Sequence, residues 1–407
     1  MEIPSTTSRV NLQKWRLALT LYLNYLVHGF GIIILAQNMT ALSGAWHVPL
    51  ATVSFVISGI GIGRLVAYLI TGSLADLLSR KLFVLLGMGC YLIFALGMVA
   101  NPSIPVAYGL AILAGIANSA LDAGTYTTLV EINGGKGDGT ILIKAFVSLG
   151  EFILPLLVAT LANHGWWFGW SFLVMAALIL INLLNVLTVR FPNRAELKQM
   201  AAHAQVAHPT NAHHRPGATL LLLGYGYTSM ALMIWFTQWV TLFATLFAQQ
   251  SLGMGETAAH FLLSLYSIGS ISGVVVLFIL LNRAVSELKL LVSLNLLATV
   301  ALASLLWAGQ TPWVANLTSL LFGFAAAGGI MQTGLTVFMK LYPARHGMVT
   351  GAFYFFGSLA SFTVPLITGV LSKTSITAAF GGDLIVSLIG SCLMIGLALT
   401  HHQQEEK

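Results

Sequence analysis

Twelve apolar runs, each long enough to cross a hydrocarbon layer, limit this chain more than any other feature. A bilayer core about 30 Å thick takes about 20 apolar helical residues per crossing. The first run extends from Leu17 to about Thr40, and the others lie near 51–75, 82–101, 106–131, 139–162, 167–189, 218–248, 257–281, 288–308, 312–338, 347–372 and 381–400. Barrel strands of about ten residues do not fit these lengths, and the first run is too long for the apolar core of a cleaved signal. The expected fold is therefore an all-α membrane protein of twelve transmembrane helices. Composition agrees, with 57% hydrophobic and only 7% charged residues, about a quarter of the charge of a soluble domain. Cys90 and Cys392 fall inside apolar runs, which points to packing and to neither a disulfide framework nor a metal site.

The net charge of +6 is a topological signal, because the cations lie almost wholly between runs and form no basic face interleaved with aromatics that would engage nucleic acid. With the N-terminus inside, the cytoplasmic segments collect 15 of the 18 Lys and Arg residues, the outside receives Lys373, and Arg64 and Lys144 fall within spans. Both termini are thus expected in the cytoplasm of an integral plasma membrane protein. The polar stretch 191–217 separates six spans before it (1–190) from six after it (218–407). It reads as a cytoplasmic linker, and its His203, His208, His213 and His214 lack the defined spacing of a metal site.

The chain repeats itself at an offset of 210 residues. Asp122/Gln332, Gly124/Gly334, Ser148/Ser358, Leu149/Leu359, Phe152/Phe362, Pro155/Pro365 and Leu161/Leu371 align without a gap, so spans 4–5 recur as spans 10–11. The same offset places Ser54, Gly59 and Gly63 of span 2 on Ser264, Gly269 and Gly273 of span 8. After span 2 the sequence reads Gly72-Ser-Leu-Ala-Asp76-Leu-Leu-Ser79-Arg80-Lys81. This resembles the loop 2–3 signature of the major facilitator superfamily, matching at Gly72, Asp76, Arg80 and Lys81, with Leu77 and Ser79 at its usual basic and glycine positions. Span 4, Gly115 through Gly124, is loosely similar to that of fucose-permease-like members of the superfamily. The resemblance implies two pseudo-symmetric six-helix halves that rock about a site near the bilayer midplane. It also implies a conformational latch built from Gly72, Asp76, Arg80 and Lys81, with Glu131 at the end of span 4 as a structural partner.

Ionisable groups inside a span are costly unless paired or hydrated, so each is a functional candidate. His28, Arg64, Asp122, Lys144 and Glu151 lie within spans, all in the first half, and the last six spans are expected to carry no such charge. Asn24 and His28 share one helical face, as do Asn118 and Asp122, while Lys144, Ser148 and Glu151 line one stripe of span 5. The four charges sum to zero, so mutual neutralisation stands beside a coupling role. Asp122, Glu151, Arg64 and His28 are the expected proton-coupling set. Asn24, Asn118 and Lys144 are expected to face the solute together with Tyr225, Trp235, Gln238, Tyr266, Gln332 and Tyr354, whose rings and amides suit a small polar molecule.

No nucleophile elbow, zinc-protease motif, Walker A loop or dinucleotide fingerprint occurs in its proper context, which argues against an enzyme and against energy from ATP. A proton gradient, with no cofactor, is the expected drive. The leading expectation is a monomeric, proton-coupled symporter of a small polar metabolite, a sugar or small carboxylate, working by alternating access. The alternative is proton-driven export of amphiphilic compounds or drugs, although span 5 reads Gly150-Glu-Phe-Ile-Leu-Pro155 and lacks the Gly-Pro-x-x-Gly motif of family antiporters.

Overall fold

The computed structural model describes residues 6–74, 79–132, 138–192, 216–242, 255–283, 285–308, 311–341 and 346–405, and every regular element among them is helical. Twelve helices are long and apolar enough to cross a membrane. Span 1 is Thr6–Gln37, followed by a short helix Met39–Trp46; span 2 is Leu50–Leu74 and span 3 Arg80–Val99. Span 4 runs from Ile104 to Ile132 through a π-helical turn at Asp122–Tyr126; span 5 is Asp138–Asn163 and span 6 Gly169–Thr188. Spans 7, 8 and 9 are Pro216–Leu242, Glu256–Asn282 and Glu287–Ala308. Span 10 runs from Pro312 to Leu341 through a π-helical segment at Gly323–Ile330, and spans 11 and 12 are His346–Leu371 and Ile376–Glu405. Most of the segment 191–217, with its four histidines, lies outside the described residues.

Burial is inverted relative to a soluble protein. Leu184, Ile181, Leu220 and Val300 face outward, while serines, threonines and asparagines on most spans are buried among helices. Lipid gives apolar side chains no reason to leave the surface, so helices associate through small residues and hydrogen bonds instead. Trp166, Trp167, Trp170 and Trp313 are exposed near span ends, as belt residues would be.

Glycines set the helix crossings. A Cβ at Gly63 would collide with the Ile112 carbonyl and press on Gly115, and one at Gly273 would collide with the Phe324 carbonyl and press on Gly328. Spans 2 and 4 therefore cross as spans 8 and 10 do. Gly61, between Gly59 and Gly63, packs against the backbone of Ser361 and Phe362 in span 11. The Gly-rich run of span 2 thus serves close approach on two sides, once within the first six spans and once across to the last six.

Proline and π-turns repeat as well. Pro155 and Pro365 sit inside spans 5 and 11, where each removes a backbone donor and disturbs the helix. Spans 4 and 10 both contain π-helical stretches, which frequently mark functional positions. In span 4 the Thr128 hydroxyl donates to the Gly124 carbonyl at 2.6 Å. Gly124 itself packs on span 3, where a Cβ would stand 2.8 Å from both the Arg80 carbonyl and Val84.

The first six and last six spans meet along two seams. Span 5 meets span 8 through Ser148 and Ser270, whose hydroxyls are 2.9 Å apart, and through the Ser264 hydroxyl donating to the Phe152 carbonyl at 3.1 Å. Span 2 meets span 11 at Gly61, at Gly369 against Ser54, and at Arg64.

Candidate functional site

Arg64 and His28 gather around Asp122, where the helical path of span 4 widens. Its carboxylate accepts the Tyr25 hydroxyl at 2.7 Å on Oδ1 and the Tyr68 hydroxyl on Oδ2. Tyr68 stands one turn after Arg64 on span 2, and the Arg64 guanidinium lies 5.9 Å from the centre of its ring. Arg64 and Asp122 are thus joined through a tyrosine. Arg64 Nη1 donates to Ser361 Oγ of span 11 at 3.5 Å, and its Nε has no hydrogen-bond partner.

His28 and Asn118 extend this cluster into the bundle. The His28 ring is 5.4 Å from that of Tyr25 and 6.2 Å from that of Tyr91, and its buried Nδ1 has no partner. Asn118 accepts the Tyr91 hydroxyl. Asn24 points elsewhere, because its side-chain oxygen accepts Asn182 Nδ2 of span 6 at 2.8 Å. Lys144 and Glu151 form an ion pair at 3.6 Å along span 5, with Ser148 between them turned to Ser270. The polar stripe of span 5 therefore faces the last six spans.

Besides Ser361, Tyr354 joins this group from the last six spans, its ring stacked on Tyr68 with centroids 5.8 Å apart. The other aromatics lie inside the second bundle. Tyr225 accepts Asn295 Nδ2 at 2.7 Å, and the Trp235 indole donates to the Ala379 carbonyl at 2.6 Å. Tyr266 is buried in a stack with Phe236 and Phe322. Gln238 and Gln332 lie on spans 7 and 10, and their side chains fall outside the described residues.

One expectation is corrected. The last six spans do carry a membrane-embedded ionisable group, since Asp383 near the start of span 12 is 0% exposed. The helix begins at Ile376 and so takes Asp383 in below its end. Reasoning from sequence also passed over Tyr25, Tyr68, Tyr91 and Asn182. Tyr68 was within reach of it, being i+4 from Arg64 and hence on the same face; Tyr25 and Tyr91 carry no charge to single them out.

A sequence model described as Major Facilitator Superfamily matches residues 21–365 and 232–407. The inner membrane transport protein YdiM of Escherichia coli is 37% identical over 400 residues, covering 96% of each chain. The chain belongs to the major facilitator superfamily. The uncharacterized MFS-type transporter YfkL of Bacillus subtilis is 35% identical over 377 residues, covering 91% of this chain and 93% of the relative. A D-xylose-proton symporter shares the fold at a TM-score of 0.75 and 14% identity, covering 94% of this chain and 97% of that one. The nucleoside transporter NupG does so at 0.70 and 16%, covering 95% and 99%. The protein is an integral membrane transporter of this superfamily and not an enzyme.

Within the superfamily signature, Lys81 has a defined structural place. Its ammonium donates to the Leu187 and Val189 carbonyls at 3.1 and 3.2 Å, and lies 5.9 Å from the Phe191 ring. These carbonyls end span 6, where a cation meets the negative end of the helix dipole. Arg80 opens span 3 beside Gly124 of the π-turn. Asp76 lies outside the described residues, as does the side chain of Glu131; the backbone is helical at both Gly72 and Glu131.

Proposed function

We propose that this transporter is a proton-coupled symporter of a small polar metabolite, a sugar or a small carboxylate. It acts as a monomer by alternating access, with residues 1–190 and 218–407 as the two moving halves and segment 191–217 joining them in the cytoplasm. The observation that carries the reading is the double role of Tyr68, which donates to Asp122 and stacks on Tyr354 across the span 2/span 11 seam. Protonating Asp122 on Oδ2 turns that oxygen into an O–H donor and weakens its hold on the Tyr68 hydroxyl, while Oδ1 still accepts from Tyr25. Tyr68 is then released to follow span 11 when that seam shifts. Proton binding and helix movement are in this way the same local event, which is what coupling requires.

Glu151 supplies a second carboxylate on the other seam, held by Lys144 beside the contact with span 8. Arg64 and Lys144 are suited to grasp an anionic group on the solute, and Asn118 and Tyr354 to hydrogen-bond or stack on it. The D-xylose-proton symporter that shares this fold pairs a sugar with a proton. That pairing is carried here as a proposal. No observation favours export of amphiphilic compounds over uptake, and no cofactor enters the scheme.

The test is flux into proteoliposomes with a panel of sugars and small carboxylates, first narrowed by thermal shift. Accumulation of the active solute should require an inside-alkaline pH gradient and vanish with a protonophore. Accumulation that ignores the gradient would overturn the coupling.

A further inference from the structure

The last six spans hold a carboxylate that the scheme above leaves unused. Asp383 lies in span 12, about 10 Å along the helix from Ile376 at 1.5 Å per residue. It is fully buried and neither carboxylate oxygen has a hydrogen-bond partner. Span 7 covers this region with Trp235, which donates to the Ala379 carbonyl one turn earlier and whose ring fills the space over Gly382. Tyr266 of span 8 is within electrostatic reach of both Asp383 and Glu151.

Among the described residues no cation faces Asp383 from the elements packed against it; span 8 begins with Glu256 and His260, whose side chains lie outside the described residues. Span 7 has no charged residue, span 9 has only Glu287 and Lys289 in its first turn, and span 11 has only His346 at its start. All three groups lie at the far end of their helices, on the face that carries the termini. An ionised carboxylate without counter-charge or donors is far more costly to bury than the neutral acid. A metal cation would need a shell of several ligands, and among the described residues no group of three or more His, Cys, Asp or Glu side chains could hold one. The occupant that fits is a proton.

A second observation supplies a route. Asp383, Ser387 and Ser391 recur at i, i+4 and i+8 on one buried face of span 12. The Thr299 hydroxyl of span 9 lies 2.7 Å from that of Ser387 and 3.1 Å from that of Ser391. The seam continues through Asn295, whose carbonyl accepts Thr299 at 2.9 Å and whose amide donates to the Tyr225 hydroxyl at 2.7 Å. Gly390 borders this line, where a Cβ would stand in ordinary contact at 3.4 Å from both Asn295 Oδ1 and Thr228 Oγ1. Hydroxyls both donate and accept, so a row of them conducts protons by relay.

We propose that Asp383 is protonated in this conformation and is a second proton-binding site of the transporter, loaded and emptied through the hydroxyl seam of Ser387, Thr299 and Ser391 when its side chain turns onto Ser387, one helical turn away. Release breaks the O–H bond of the acid and passes a proton along the hydroxyls to water; uptake reverses this, and no electrons change hands. The consequence for transport rests on the proton-coupled reading above, whereas the protonation itself does not.

Infrared spectroscopy of the reconstituted protein, with no solute present, separates the two. A protonated-carboxyl C=O band should be seen at neutral pH, shift in D2O, and be lost in Asp383→Asn but persist in Asp122→Asn and Glu151→Gln. Thr299→Val should slow its D2O shift. Asp383→Glu, which keeps an acid at the site, should restore a band at a displaced position and guards against misfolding of the Asn variant. A spectrum unchanged by Asp383→Asn would overturn the proposal, as would loss of the band on adding sodium at constant pH. Loss of the band in Asp383→Asn together with failure of gradient-driven accumulation in the wild type would sustain the site and reject the coupling.

Discussion

Tyr68 of span 2 and Tyr354 of span 11 stack with their ring planes 9° apart, and Tyr68 in the same pose donates its hydroxyl to Asp122 of span 4. A single side chain thus ties the carboxylate of one bundle to the surface of the other. Tyr354 occupies the position that Lys144 holds in the repeat, so the duplicated scaffold carries a charge on one side and a ring on the other.

From this linkage, Asp122→Asn should abolish accumulation against a gradient while sparing exchange of solute across the membrane, because exchange needs no net proton movement. Glu151→Gln is expected to do the same where that carboxylate is the carrier. Gln332→Ala should weaken solute binding with no change in proton stoichiometry. Full accumulation in both carboxylate variants would make these groups structural partners of Arg64 and Lys144. Counterflow and pH-gradient uptake in proteoliposomes measure both quantities.

Packing at the helix crossings makes a separate prediction. Gly63→Ala and Gly115→Ala put a methyl group into the backbone of the facing span, and overpacking of this kind costs about 1–3 kcal/mol. Gly89→Ala and Gly109→Ala meet nothing within 4 Å and should be neutral. Thermal unfolding in detergent, read by tryptophan fluorescence, should show a lowered midpoint for the first pair only.

At the end of span 6, Lys81→Met removes the donor to the Leu187 and Val189 carbonyls. The expected loss is about 1 kcal/mol, with Lys81→Arg close to wild type. Asp76→Asn, by contrast, should leave unfolding unchanged and shift the balance of inward and outward states. Cross-linking across the face that carries the termini reads that balance. An unshifted population would leave Asp76 with a topological role alone.

Orientation is checked by labelling. With Cys90 and Cys392 replaced, a single cysteine at Ala204 should react only from the cytoplasmic side and one at Ser375 only from outside. The reverse pattern would invert the topology.

What the sequence determined by itself was the class of fold, since runs of this length have one solution in a bilayer, where each backbone group must be satisfied within its own segment. Twelve runs, the 210-residue repeat and the Gly72 to Lys81 signature are read along the chain, and so was the grouping of His28, Arg64, Asp122, Lys144 and Glu151 as ionisable groups held in spans. Tertiary structure decided which of these touch. Helical periodicity places residues on faces but leaves open which face meets which neighbour, so the Tyr25 and Tyr68 donors to Asp122, the turn of Asn24 toward Asn182 and the link of Arg64 to Asp122 through Tyr68 came only from packing. Asp383 is the sharpest case. Near a span end a carboxylate can reach water or be enclosed, and Trp235 over Gly382 and the neighbouring helices enclose it.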